Sequence, residues 1–341
     1  MKKTMVVAAG LMALAAGAQA QSNVQLVGLV DAYVGSMRMA GDAKSKSVVG
    51  NSGMTTSWWG MQGSEDLGSG LKANFALGGF IRPDTGTSGR FTGDTLFSRD
   101  ASVGLSGSFG TVTAGRGKAP NFLPTILFNP LGDSFTFSPL VLHANVPLFN
   151  GTGWAATTPA DTGWSSQLTY STPKVGGLSA NLHHQLIDVV GASGKKDVGF
   201  NLMYGAGPLA LTAFWERAQL SNPNPAPLAG GATKKDWMLG GSYDATVVKG
   251  FMTYGQASSD LTTVKAKTLS LGLSAPLSTS GKLLVGYANT QVTAGNQRDT
   301  LTVGYDHFLS KRTDAYAMLM HDKITTFRSG TSVGVGLRHR F

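Results

Sequence analysis

The sequence predicts an all-β fold, a transmembrane antiparallel β-barrel. Three observations carry that expectation: an export-type N-terminus, a two-residue alternation of apolar and polar side chains along the chain, and connections that alternate between short and long. The chain starts with Lys2 and Lys3, runs through an apolar stretch at residues 5–17, and reaches Ala18-Gln19-Ala20. A basic start, a short apolar core and a small-x-small exit form a secretory signal peptide. Residues 1–20 are therefore expected to be cleaved, leaving residues 21–341 as a single barrel domain. The apolar stretch is shorter than the ~20 residues a spanning helix needs.

The alternation is the primary signal. Leu178, Ala180 and Leu182 alternate with Ser179, Asn181 and His183, and Leu269, Leu271 and Leu273 with Thr268, Ser270 and Gly272. Leu301, Val303 and Tyr305 likewise alternate with Thr300, Thr302 and Gly304. Successive strand residues point to opposite faces, so each such segment has one oily and one polar face. The polar faces carry Gly, Ser, Thr, Asn and single charges, as walls of enclosed water should. Aromatics such as Tyr170, Tyr204, Trp215, Trp237, Tyr243 and Tyr305 recur towards strand ends, the expected place of interfacial girdles. Mean hydropathy is only +0.01, which excludes a helical membrane protein but suits alternating strands.

Short connections are expected at 65–70, 109–110, 174–177, 205–208, 277–281 and 310–312, and long ones at 36–53, 82–95, 117–162, 221–234 and 323–330. That asymmetry predicts tight turns on one side of the membrane, long loops on the other, and about sixteen strands. Alternation is faint near residues 251–257 and 314–321. A barrel of that size leaves an aqueous channel that wall side chains cannot fill.

Composition narrows the alternatives. Cysteine is absent, so an exported fold must stand without disulfides. The formal charge of +9 falls to +7 once Lys2 and Lys3 leave, and no run of five basic residues marks a nucleic-acid surface. Glu65 and Asp66 lie in a tight turn, and His183 and His184 point to opposite strand faces, so neither pair forms a catalytic or metal constellation. Gly104, Gly107, Gly110, Gly115 and Gly117 are dense, but no phosphate-holding helix follows them. No cofactor or metal is expected, and no enzyme activity. An outer-membrane barrel enzyme, which could recruit His143 and a serine, and a plugged structural or adhesive barrel are the alternatives from other classes.

The last strand alternates Val333, Val335, Leu337, His339 and Phe341 against Arg338 and Arg340. With that terminal aromatic, and with residues 22–34 (SNVQLVGLVDAYV), 58–75 (WWGMQGSEDLGSGLKANF), 96–117 (LFSRDASVGLSGSFGTVTAGRG) and the final GLRHRF, the chain resembles the general outer-membrane porins of β-proteobacteria. The resemblance covers nearly the whole mature chain. It implies a sixteen-stranded homotrimer in outer-membrane lipid, recognised by the barrel insertion machinery through Phe341. It also implies a third loop folded into the lumen as a constriction, and the passage of small solutes and ions. Residues 117–162 suit that loop, being much the longest connection and rich in Phe122, Phe128, Phe135, Phe137, Phe149 and Trp154.

By resemblance, Arg99 is a pore-wall arginine. Lys72 lies on the polar face of its strand, and Arg116 stands at the start of the third loop. The family usually has arginine where Trp58 stands, a basic residue where Gln62 stands, and arginine at the place of Thr169. The loop carries only Asp133 and Asp161 as acids. The constriction is thus expected to hold fewer charges than usual, with a modest anion preference. A channel selecting aromatic or uncharged solutes is the alternative.

Overall fold

The structure is a computed structural model that describes residues 23–144, 162–186, 197–219, 233–260, 263, 265–293 and 295–341. The expected signal peptide, and Phe149, Trp154 and Asp161 of the long loop, lie outside the described residues. In chain order the first elements are β1 (Asn23–Met37), β2 (Lys46–Asn51), β3 (Trp58–Gly68), β4 (Leu71–Arg82), β5 (Thr87–Ser88), β6 (Asp100–Gly107), β7 (Gly110–Lys118), α1 (Phe122–Leu127) and α2 (Pro139–Ala144). There follow β8 (Gly163–Ser171), β9 (Leu178–Gln185), β10 (Val198–Ala206), β11 (Leu209–Gln219), β12 (Thr233–Asp244) and β13 (Lys249–Ser259). The chain ends with β14 (Lys265–Pro276), β15 (Gly281–Val292), β16 (Gln297–Phe308), β17 (Thr313–Ile324) and β18 (Gly330–Arg340).

Two of the eighteen strands among the described residues, β2 and β5, are loop strands that pair only with β1 and β4; the other sixteen form the wall. Every wall strand pairs antiparallel with its neighbours in order, and β18 returns to β1 over Leu29–Ser36. The seam is completed by Gly28 and Phe341, which exchange both backbone hydrogen bonds at 3.1 Å. Closure is what lets strands stand in lipid, because no backbone N–H or C=O is left at an edge.

The two-residue rhythm is realised in burial. On β16, Leu301 and Val303 are 44 % and 39 % exposed to the outside, while Thr300 and Thr302 between them are fully covered within. Tyr204, Tyr243, Tyr305 and Phe341 mark the short-turn end of this outer face. Further up, Trp215 stacks on Phe200, and Trp237 meets Tyr254 edge-on. Short turns use local chemistry: between β3 and β4 only Ser69 and Gly70 intervene, with Gly68, Ser69 and Gly70 all at positive φ. Glu65 and Asp66 therefore belong to β3 itself, paired with Ala73 and Lys72, and the turn is tighter than the 65–70 expected.

Where the alternation was faint, the strands are regular and the reason is physical. On β17 the inward residues Tyr316, Met318 and Met320 are almost fully buried although they face the lumen. They join Tyr33, Met54, Leu131, Phe137 and Leu284 in a hydrophobic core inside the barrel. Leu131 and Phe137 belong to the long connection between β7 and β8, so one flank of the inner wall is dry and oily because this loop lies on it. On β13, Met252 and Tyr254 point out while Thr253 and Gly255 point in. A barrel strand under a docked loop has two apolar faces, which hides the period.

Room for the loop comes from glycines on the inner wall. A Cβ placed at Gly286 would lie 2.7 Å from Leu131 and 3.2 Å from Pro139, at Gly199 2.7 Å from Pro120, and at Gly334 2.8 Å from Phe137; at Gly272 it would overlap Pro130. Part of the high glycine content is thus a bed for the loop, since only a bare backbone permits so close an approach.

Two variants test this packing. Gly286→Phe should leave the barrel assembled but lift the loop, destabilising by about 1–3 kcal/mol, the usual cost of overpacking. Phe137→Ala empties the centre of the inner core and should cost about 3–5 kcal/mol. Both should lower the thermal midpoint in detergent and change single-channel conductance; unaltered conductance in both would contradict loop docking.

Candidate pore constriction

The described part of the loop, up to Ala144, is pinned at three places. At its entry, Asn121 donates from its backbone N–H and from Nδ2 to Glu216 of β11, at 3.2 and 3.1 Å. Asn201 of β10 donates to the Pro120 carbonyl at 3.0 Å. Beside them the buried Lys234 ammonium lies 2.6 Å from Asp236. Towards α2, His143 is wedged between the hydroxyls of Thr290 and Thr300, each 2.8 Å from a ring nitrogen. Burial and the nearby Arg298 push His143 well below its ordinary pKa, so it stays neutral in this clamp. The histidine that a barrel enzyme could recruit is here held between two strands. Thr302 donates to the Phe137 carbonyl at 2.7 Å.

The middle of the loop rests on the return segment between β2 and β3. Thr55 Oγ1 donates to Asp133 at 2.9 Å, Ser134 Oγ to the Gly53 carbonyl at 2.6 Å, and Thr136 Oγ1 to the Ser52 carbonyl at 2.8 Å. That segment is itself held by the buried Asp31 of β1. Its carboxylate accepts the N–H groups of Gly53, Met54 and Thr55 at 3.1, 2.8 and 2.8 Å, and the hydroxyl of Tyr316 at 2.5 Å. Arg338 of β18, bridged to Asp314 at 2.9 Å, donates to Thr55 Oγ1 at 2.7 Å. One polar chain therefore runs from the closing strand through Thr55 to the loop's acid.

Between the docked loop and the upper ends of β3 and β4 is a cavity of about 650 Å³. Its walls include Trp58, Phe80 and Phe91 from the barrel side, Phe122 and Phe135 from the loop, the cations Arg82, Arg90, Arg99 and Lys118, and Asp133 as the acid among its lining residues. The Arg99 guanidinium lies over Trp58, 3.5 Å from the ring centroid, and is paired with Asp100. Arg90 lies over both Phe80 and Phe91, at 5.1 and 5.5 Å, and is bound by Asp94 at 2.9 Å. Arg82 has a buried Nε without a hydrogen-bond partner. Burial raises Asp133 above the ordinary carboxylate range, against the lowering pull of the Thr55 hydroxyl, its own backbone N–H, Arg338 and Arg99.

Of the residues expected at a constriction, Arg99, Trp58 and Asp133 meet in this cavity. Arg116 and Thr169 line a neighbouring cavity of about 200 Å³ that shares Lys118 and Leu123 with the first. On strict alternation Arg116 would share the outer face of Val112 and Ala114. The bulge between Gly115 and Gly117 re-aims it, and its Nε donates to the Ser98 carbonyl at 2.6 Å and its Nη1 to Ser165 at 2.9 Å. Arg116 therefore ties the loop's base to its neighbours. Gln62 is on the inward face of β3, clear of both cavities, opposite Gln25 and Ala76. Lys72 lies at the short-turn end of β4, ten residues from Arg82, in register with Asp66 and Ser106.

Three cations of the cavity, Arg82, Arg90 and Lys118, were not among the residues expected from the sequence. Arg82 was findable, because it shares the inward parity of Lys72 along β4. Arg90 and Lys118 were not, since an irregular loop and a strand end carry no period.

Comparison with known proteins agrees with this architecture. The family model for Gram-negative porins matches residues 6–326. Outer membrane porin protein 32 of Delftia acidovorans is 32 % identical over 374 aligned positions, spanning all of both chains. An outer membrane porin protein of Bordetella pertussis is 29 % identical over 402 positions, again spanning both. Among solved structures, the anion-selective porin from Comamonas acidovorans superposes with a TM-score of 0.78 at 28 % identity, covering 94 % of this chain and 100 % of that one. With a closed sixteen-stranded wall, a loop docked on its inner face and a full-length family match, this chain belongs to the Gram-negative porins, the diffusion channels of the outer membrane.

Proposed function

We propose that the protein is exported with residues 1–20 removed, assembles as a homotrimer, and passes small hydrophilic solutes and ions with a modest preference for anions. The narrow passage is the cavity lined by the described part of the long loop, from Lys118 to Thr136, and the chemistry there is simple electrostatic bias with no bond made or broken. The observation that carries this reading is the charge of the lining, four cations against Asp133. Asp94 and Asp100 neutralise Arg90 and Arg99, so among the described residues Arg82 and Lys118 stand against Asp133. A small surplus of positive charge in a narrow passage raises the local anion concentration. The surplus is about one unit, hence the modest preference. Trimer assembly and recognition of Phe341 by the insertion machinery rest on membership of the family.

Reversal potentials across a salt gradient, measured on refolded protein in planar bilayers, should show anion preference, with closure in three equal steps. Clear cation preference would refute the reading. Asp133→Asn should raise the anion-to-cation permeability ratio a few-fold and Arg82→Gln should lower it similarly, since one unit charge acting across about 4–8 Å of water is worth about 0.5–1 kcal/mol.

The same ratio should depend on pH in a fixed direction. Because Asp133 is raised in the folded protein, it takes up its proton at higher pH than a free carboxylate would. Acidification from neutral pH should therefore strengthen anion preference before ordinary carboxylates titrate, and Asp133→Asn should lose that step. For stability the sign follows the linkage rule: an acid raised by burial contributes stability that is present below its unfolded pKa and is lost as pH rises through the folded one. Asp133→Asn should accordingly flatten the fall in thermal midpoint on the alkaline side of that transition.

A further inference from the structure

We propose that the constriction cavity retains small planar aromatic monocarboxylates, of the size and chemistry of benzoate, in preference to aliphatic acids and to neutral aromatics. The inference deepens the reading of this cavity as the channel's narrow passage and rests on it. A passage that only biased ions would need charges and water. This one has five aromatic rings, drawn from both sides: Trp58, Phe80 and Phe91 opposite Phe122 and Phe135 of the loop. Rings at the narrowest place cost hydration of passing ions and return nothing to chloride. They are useful to a solute with a π-face of its own, which gains from offset or edge-to-face contact beyond the area it buries.

The cations are placed to use the other end of such a solute. Arg99 lies over Trp58, and Arg90 lies over Phe80 and Phe91. Positive charge held at the face of these rings draws the carboxylate of a solute whose own ring packs beside them. Arg82 adds a further guanidinium charge to the cavity lining. An aliphatic acid can use the donors alone and a neutral aromatic the rings alone; an aromatic carboxylate uses both. The charge balance sets the valence. With Arg90 and Arg99 paired to Asp94 and Asp100, Arg82 and Lys118 face Asp133 among the described lining residues, a surplus that favours a singly charged anion. At about 650 Å³ the cavity is within the range of small-molecule sites and larger than one such solute, so the residence is brief, as a channel requires.

The test is single-channel recording of the refolded full-length protein with benzoate, cyclohexanecarboxylate and benzamide added in turn to a fixed chloride background. Benzoate should cause brief blockades at a concentration about three- to tenfold lower than cyclohexanecarboxylate, the range expected for one or two aromatic contacts, and benzamide should cause none. In Trp58→Leu and, separately, Phe135→Leu, the ratio of benzoate to cyclohexanecarboxylate block, taken within each variant, should fall towards one. Arg82→Gln should weaken the block by both acids together. Equal block by the two acids in the wild type, or an undiminished ratio in both leucine variants, would overturn the inference while leaving an anion-preferring channel intact. A channel with no conductance, or one preferring cations, would overturn the parent reading and this one with it.

Discussion

The structure depends on a backbone that cannot leave its hydrogen bonds unmade in hydrocarbon. That requirement forces the wall to close, with β1 meeting β18 and Gly28 exchanging bonds with Phe341. Closure in turn fixes the remaining features. The number of strands determines that side chains from the wall cannot meet across the interior. The interior must then be shaped by something other than the wall, and here it is shaped by the connection between β7 and β8.

That connection behaves as a small domain core built inside a cylinder. Its hydrophobic residues are covered against inward residues of β15, β17 and β1, and its polar atoms are paired with wall hydroxyls and carboxylates. The bed of glycines lets its backbone and prolines approach the wall closely, and Asp31 holds the return segment on which its middle rests. The buried acid and the buried rings do different work. Packing supplies the bulk of the attraction, while the directional bonds at Asn121, Thr55 and His143 set the loop's register along the wall. A loop held at one point would swing in solvent; one held at three leaves a passage of defined width.

The passage inherits its character from both sides. The wall brings Trp58 and Arg82, the second long loop brings Arg90, Phe91 and Arg99, and the docked loop brings Phe122, Phe135 and Asp133. Guanidinium groups lying over rings keep their charge near water while covering apolar surface that would otherwise face the lumen. Replacing wall arginines by Trp58, Gln62 and Thr169 does not leave an empty ring of polar residues. Cations enter instead from Arg82, Arg90 and Lys118, all of which belong to a loop or a strand end.

The sequence by itself determined the barrel, since alternation is a local consequence of strand geometry and can be read wherever one face meets lipid and the other meets water. It also singled out Arg99, Trp58 and Asp133, from long motif runs and from loop length, and these three line one cavity. Only the tertiary structure decided the faces of β17, where Tyr316, Met318 and Met320 face inward against a loop more than a hundred residues away in the chain. Only it could turn Arg116 inward through a bulge, leave Lys72 at the far end of its strand from Arg82, and gather Arg82, Arg90 and Lys118 in one cavity. The physical reason is range: the period of a strand is written in neighbouring residues, whereas a docked loop draws its contacts from strands all around the barrel, and no local pattern records which of them it will meet.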